Sequence, residues 1–472
     1  MYHISKYLAV FTLLHGAISS YAEETPPPNI LLVMVDTLRA DHTSAYGYSR
    51  NTTPTLARLA AEGVRFQQVF SPTSTTGPST VSLFTSLYPI HHRYLRNGLP
   101  LDSSFTTLAE VLHAVGYQTF GIASSTVLVA RGMEQGFETF DKELPHNESS
   151  HLDANRQAAG DGDRPQKDYR YQGSDRRPNF TTDRALSWFD EQRDPTRPYF
   201  AWLHYMDPHE PYTPPDEYLA LFPAPDESLP IAEFNLSTLI RKYDAEIRFM
   251  DTEFGRLLDH LNSIGALDNT LIAVVADHGQ GLYQHGWQGH GLQLYDEAVR
   301  IPWIMTMPEN IESGQVITAP VSLLDVMPTI LSYTPVALPQ DSVHGKNHRR
   351  AIDEGDSLDS QRSLFFQRRK LSSEPQVPSL VSKPSVEGGM FAVRAGDWKL
   401  ITAPQDDGHE LYNLAQDPLE TVNVHEKRPN VVNELEKLLN TWRREFKRST
   451  QRDNAEVLPE LREGLEALGY VD

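Results

Sequence analysis

Between Ser71 and Pro89 the chain reads "SPTSTTGPSTVSLFTSLYP", where hydroxyls crowd up to a Gly-Pro-Ser turn and a helix-like run follows. Two roles fit such hydroxyls. One of them attacks a substrate, or they cap a helix opened by Pro78, since proline suits a first helical turn and a preceding Thr can accept from its exposed amides. Those amides would also favour a phosphate or sulfate beside Thr76. Three further stretches carry titratable groups at the ends of apolar runs. "NILLVMV" runs directly into Asp36, and "NTLIAVVA" runs into Asp277 and His278. "PYFAWLHY" holds His204 and continues into Asp207 and His209. A lone Asp after a strand is commonly a helix cap or turn former. An Asp-His pair at the end of an apolar strand, however, is costly to bury unless it is paired or metal-bound. In open α/β sheets ligands collect outside the carboxyl ends of the strands, so three such ends point to a shared metal or acid-base centre.

Those apolar runs are expected to be strands buried on both faces. Between the last two, Ile240, Tyr243, Ile247, Met250, Phe254, Leu257 and Leu261 step by threes and fours, which predicts an amphipathic helix. A second helix is expected over 181–192, with Thr182 as its N-cap. Strands alternating with helices predict an α/β fold, a mostly parallel sheet covered on both faces. The polar, Gly- and Asp-rich stretch over about 143–179 reads as a surface insertion. Another polar stretch, from Leu338 to Val386, predicts a boundary between a catalytic domain over 29–337 and a small C-terminal domain over 338–447. In the latter, "FAVRAGDWKLITA" and "GHELYNL" read as short antiparallel strands, followed by a helix from about Asn430 to Phe446 and a helical tail over 448–472.

The 472 residues carry 63 acidic against 42 basic side chains, a formal net charge of −21. That balance disfavours nucleic acid and anionic membrane surfaces as partners and suits metal ions. The absence of cysteine excludes disulfides and thiolate metal sites. At the N-terminus a single Lys, an apolar run from Tyr7 to Ile18 and Ser20-Tyr21-Ala22 form the pattern of a signal peptide over residues 1–22, predicting a secreted or periplasmic protein. No later stretch reaches membrane length, so no stable membrane insertion is expected.

"NILLVMVDTLRADHTSAYGY", "TGPSTVSLFTSLYP", "YFAWLHYMDPHEPYTPP", "IAVVADHGQGLYQHGWQGHGLQLYDEAVRIPWI" and "VRAGDWKLI" with "ELYNLAQDPLETVN" resemble, in order, the motifs of the sulfatase family of the alkaline phosphatase superfamily. The resemblance extends from Asn29 to Asn423. It implies a large mixed sheet flanked by helices, with a small C-terminal α+β domain, and ester hydrolysis at a metal centre. Asp36 matches the first metal-binding Asp, and Thr37 stands where many members have a second. Asp277 and His278 match the later ligand pair, with His in place of the Asn of many sulfatases. His209 matches the histidine on the leaving-group side, and His290 takes the place of a lysine that binds the transferred anion. No counterpart of the family's Gly-Lys-Trp-His segment follows "AVGYQTFGIASS".

The family's nucleophile motif is Cys or Ser, any residue, Pro, Ser, Arg. Aligned on Pro78 and Ser79, it puts Thr76 at the nucleophile and Thr80 at the arginine. Sulfatases oxidise the Cys or Ser to formylglycine. Oxidation of Thr76 would give a ketone, so no formylglycine is expected and the nucleophile is an unmodified, metal-bound hydroxyl. The chain is similar in this to nucleotide pyrophosphatases and phosphodiesterases, lipoteichoic acid synthases and phosphoethanolamine transferases. The expectation is therefore a hydrolase of sulfate or phosphate esters, small-molecule or glycan, with phosphodiester cleavage or phosphoryl transfer as the alternative. A catalytically silent, glycan-binding homologue is the alternative of another class.

Asp36, Asp277, His278 and Thr76 would hold one divalent ion, zinc or manganese favoured by the imidazole, calcium or magnesium possible. A second ion on Asp207, His209 and His290 is disfavoured, because Asp207-Pro-His209 lacks the gap that two-metal phosphodiesterases place between Asp and His. His285 lies near the metal pair but fits an ordinary loop histidine better. His92 and Asn97 stand where the family has pocket residues. Arg39 would contact an anion or form a structural salt bridge.

Overall fold

The computed structural model describes residues 26–144, 175–336, 343–368, 391–403 and 408–446. The stretches expected to be a signal peptide and a helical tail, most of the expected insertion and much of the expected boundary lie outside the described residues.

The runs read as buried strands are the middle of a large sheet. Its spatial order is Gln315–Ser322, Val64–Phe70, Trp303–Thr306, Thr270–Ala276, Asn29–Val35, Tyr199–Tyr205, Gln118–Ile122 and Thr139–Asp141, with Arg300–Ile301 also pairing to Val64–Phe70. Trp303–Thr306 is antiparallel to both its neighbours, and the pairs from Thr270–Ala276 to Thr139–Asp141 are all parallel. The sheet is thus mixed and mostly parallel. Ile30 through Val35 are fully buried, as are Leu203, Tyr205, Val275 and Ala276. Burying one such aliphatic side chain is worth about 1.5–3 kcal/mol, so this core holds the strand ends rigidly.

The amphipathic helix spans Ile231–Ser263, and its buried residues include Tyr243, Ile247, Met250, Phe254, Leu257 and Leu261. The helix expected from Thr181 instead begins at Pro178. Proline at the first helical position sets the start, and Thr182 sits inside the helix, its hydroxyl bonded to the Tyr205 hydroxyl at 2.8 Å and the Glu253 carbonyl at 3.2 Å. Thr182 is therefore not an N-cap.

At the C-terminal end, Leu364–Gln367, Phe391–Ala395, Trp398–Ala403 and Gly408–Asn413 form an antiparallel sheet in that order. The helix Pro429–Phe446 packs on it through Leu435, Leu439 and Trp442.

Candidate active site

Three adjacent strands set the site. Val35 is level with Tyr205 on one side and Ala276 on the other. The residues that follow are also tied: the Asp36 amide donates to the Tyr205 carbonyl at 2.9 Å and the Asp277 amide to the Val35 carbonyl at 3.3 Å. Asp36, Asp277-His278 and the turn carrying Asp207 and His209 consequently leave the sheet side by side. Thr37 bends the first exit with φ 54°, unusual for a β-branched residue. It is clamped there by its amide on Asp277 Oδ1 at 3.0 Å and by the Tyr243 hydroxyl on its carbonyl at 2.7 Å.

The helix Thr76–Thr85 is buried along its whole length. Its N-cap is Thr75, which makes no side-chain cap bond, and Thr76 is the first helical residue. Ser79 docks the helix by donating to the Asp277 carbonyl at 2.5 Å. The Thr76 hydroxyl is thereby turned away from capping and towards Asp36 Oδ2 at 3.4 Å and His278 Nε2 at 3.1 Å.

The donor set fits a cation. His278 Nδ1 faces the Gly279 carbonyl at 2.8 Å, which can only accept, so Nδ1 carries the proton and Nε2 the lone pair. That lone pair lies 3.3 Å from Asp277 Oδ2 without hydrogen-bond alignment. Asp36 Oδ1 and Asp277 Oδ2 are buried with no hydrogen-bond partner. One ligand atom from each of Asp36, Asp277 and His278 falls within 4.8 Å of the others. Burial together with the Asp277 charge pushes the Asp36 carboxyl well above its usual range. Asp36, Asp277 and His278 thus form a possible site for a divalent ion. Among the described residues this is the one group of three or more such side chains with that geometry.

Three more imidazoles surround it. His204 accepts the Ser124 amide on Nδ1 at 3.4 Å and presents Nε2 to Asp36 Oδ2 at 3.3 Å; burial pushes it down to about 4, so it stays neutral. His209 donates Nδ1 to the Glu210 carbonyl at 2.6 Å, and burial pushes it down to about 3. His290 is held by Gln280 Oε1 at 3.0 Å, with its ring 4.7 Å from that of His278 and 4.8 Å from that of His209. Asp207 stands 3.4 Å from Arg177 Nη2.

Asn97 Oδ1 accepts the Gly77 amide at 2.8 Å, and its Nδ2 is a buried donor without a partner beside the Thr76 turn. His92 instead braces the helix through Ser82 at 3.0 Å. Arg39 is spent on Asp41 at 2.6 Å and the Gln280 carbonyl at 2.9 Å, and His285 on Glu297 at 2.6 Å. Gln280, Asp175 and Arg177 had no signal in the local pattern. Asp175, pushed up to about 6 by burial, accepts from the Thr126 amide at 3.0 Å.

Residues 28–336 match the sulfatase family, and residues 283–445 match the family described as N-sulphoglucosamine sulphohydrolase, C-terminal. The N-acetylglucosamine-6-O-sulfatase of Bacteroides thetaiotaomicron is 24% identical over 92% of this chain and 90% of its own. The multifunctional alkaline phosphatase superfamily protein PehA of Trinickia caryophylli is 26% identical, covering 83% and 91%. Among solved structures, a protein in complex with its substrate D-glucosamine-2-N,6-O-disulfate superposes with TM-score 0.72 at 22% identity, covering 91% of this chain and all of that one. The phosphonate monoester hydrolase of Agrobacterium radiobacter gives 0.68 at 22%, covering 88% and 95%. With more than half of its length matched and the same fold in these neighbours, the chain belongs to the sulfatase family of ester hydrolases.

Proposed function

We propose that this chain is an exported, metal-dependent hydrolase that cleaves sulfate or phosphate esters through Thr76. One observation carries the reading: the Thr76 hydroxyl lies between Asp36 and His278, at 3.4 and 3.1 Å, on a helix end that does not use it as a cap. Asp36, Asp277, His278 and Thr76 would hold the ion, which when bound stabilises the Thr76 alkoxide and polarises the ester. Thr76 Oγ1, its proton passed to Asp36 Oδ2, would form the bond to sulfur or phosphorus as the bond to the leaving oxygen breaks, and water attacking the resulting Thr76 ester would release sulfate or phosphate and restore the hydroxyl. The charge on the transferred group is met by the Asn97 amide, by His290 and by the amides opening the Thr76 helix. His209, with its lone pair on Nε2, would take up a proton from water as the entering anion raises its affinity for one, and pass that proton to the leaving oxygen.

Chemistry at threonine favours phosphorus esters, since Thr76 cannot become formylglycine. Relatives named for sulfated sugars and for phosphonate monoesters support both substrate classes. The test is hydrolysis of p-nitrophenyl sulfate, p-nitrophenyl phosphate and bis-p-nitrophenyl phosphate by the mature protein with added zinc, manganese or calcium. Turnover that vanishes in Thr76→Ala is expected. Turnover that survives in Thr76→Ala rules out the threonine, and a protein that binds metal yet turns over no ester favours the glycan-binding alternative.

A further inference from the structure

The segment from Gly279 to Ala298, which carries Gln280 and His290, is gripped from the C-terminal sheet by an ion cluster. Lys399, fully buried on the strand Trp398–Ala403, places Nζ 2.7 Å from Asp296 Oδ1 and 2.7 Å from Glu420 Oε1. Glu420 Oε2 accepts the Asp296 amide at 2.5 Å. His285 donates Nδ1 to Glu297 Oε1 at 2.6 Å and Nε2 to the Glu420 carbonyl at 3.0 Å, its ring stacked 3.7 Å from that of Tyr295. Two acceptors on its two nitrogens keep this imidazole protonated.

The gripped residues touch the site directly. The Gly279 amide donates to the Ala298 carbonyl at 2.9 Å and the Gln280 amide to the Glu297 carbonyl at 2.8 Å. The approach is so close that a Cβ on Gly279 would lie 2.1 Å from the Glu297 oxygen. Gly279 and Gln280 in turn hold Nδ1 of His278 and of His290, at 2.8 and 3.0 Å. An unbroken chain of contacts thus runs from Lys399 to two imidazoles of the site. Buried ion clusters add little stability over apolar packing of the same volume, but their hydrogen bonds have direction.

We infer that Lys399, Glu420, Asp296 and His285 are positioning residues through which the C-terminal sheet orients His278 and His290; this rests on the role proposed above for those two histidines. The test compares the full-length wild type with Lys399→Met and with Leu439→Ala, a change in the C-terminal core away from the cluster. Each is followed by melting temperature, by kcat and KM separately, and by the NMR ring chemical shifts of the histidines at one fixed pH. Lys399→Met is expected to lower kcat about tenfold or more, the usual effect of losing an outer partner of a site, and to move the His278 and His290 ring signals. Leu439→Ala should lower the melting temperature with kcat and both ring signals unchanged. Should Lys399→Met fail to fold, His285→Gln breaks the same cluster from the half-buried loop side. Ring signals and kcat that move no more in these variants than in Leu439→Ala overturn the inference. A wild type inactive on every ester would refute the proposed hydrolysis, while the ring signals would still decide the positioning.

Discussion

At the scale of single residues, the site is a contest between buried like charges and the cation that would relieve them. Asp36 and Asp277 are both fully buried, and each leaves one oxygen without a partner. Without metal, Asp277→Asn removes a like charge and should melt higher than the wild type. With saturating zinc or manganese the order should reverse, because a ligand is lost. Thermal unfolding with and without metal checks both signs, and unchanged order would remove Asp277 from the metal site. The role proposed for His209 is separable from that of Asp36, Asp277 and His278. A proton donor matters only when the leaving group is a poor one. His209→Ala should therefore slow alkyl esters about 10²–10⁴-fold while sparing p-nitrophenyl esters. Equal losses for both would assign His209 to binding instead.

At the scale of elements, the Thr76 helix is aimed by what surrounds its far end. Ser86 closes it in a left-handed conformation at φ 56°, with its hydroxyl on the Leu324 carbonyl at 2.7 Å. Next to Leu324, fully buried Asp325 joins three segments. It accepts from the Ser322 amide at 2.8 Å, the Lys346 amide at 2.7 Å, His348 at 2.9 Å and both ends of the Arg362 guanidinium. Burial opposes its charge, yet Arg362 and His348 hold its carboxyl well below the usual range. Asp325→Asn leaves Arg362 buried and unpaired and should cost about 3–5 kcal/mol, measured by denaturant unfolding. The sign with pH follows from the depressed value: this stability is present above the ordinary carboxylate range and is lost as pH falls through the folded-state value. The gap between wild type and variant should accordingly narrow in acid, and a constant gap would mean that packing, not charge, is lost.

At the scale of the whole molecule, an acidic body of net charge −21 concentrates part of its negative charge at the ends of three central strands. A ligand that binds only the folded state raises stability by mass action. Chelation should lower the melting temperature of the whole protein, and a divalent ion, not a monovalent salt, should restore it. Restoration by monovalent salt alone would indicate general screening instead.

The ends of the central strands were legible in the sequence because a strand buried on both faces is a continuous apolar run, and the first polar residue after it must leave the sheet. Asp36 and Asp277-His278 follow from that rule alone, and the helix through Tyr243 and Phe254 from its period of threes and fours. Other features depended on contacts between residues far apart in the chain. Whether Thr76 caps its helix or faces Asp36 and His278 turned on a helix that starts one residue after Thr75 and docks by Ser79 on Asp277, nearly 200 residues away. Arg39 suited an anion contact as well as a salt bridge, and only its neighbour Asp41 shows it spent on the latter, while His285, read as an ordinary loop histidine, bonds Glu297. Gln280, Asp175 and the Lys399 cluster carry no local pattern, since a polar side chain reveals its task only by the partner that the fold brings to it. Local periodicity decides what an element is and which face it buries. The packing of the elements decides which of their polar groups meet.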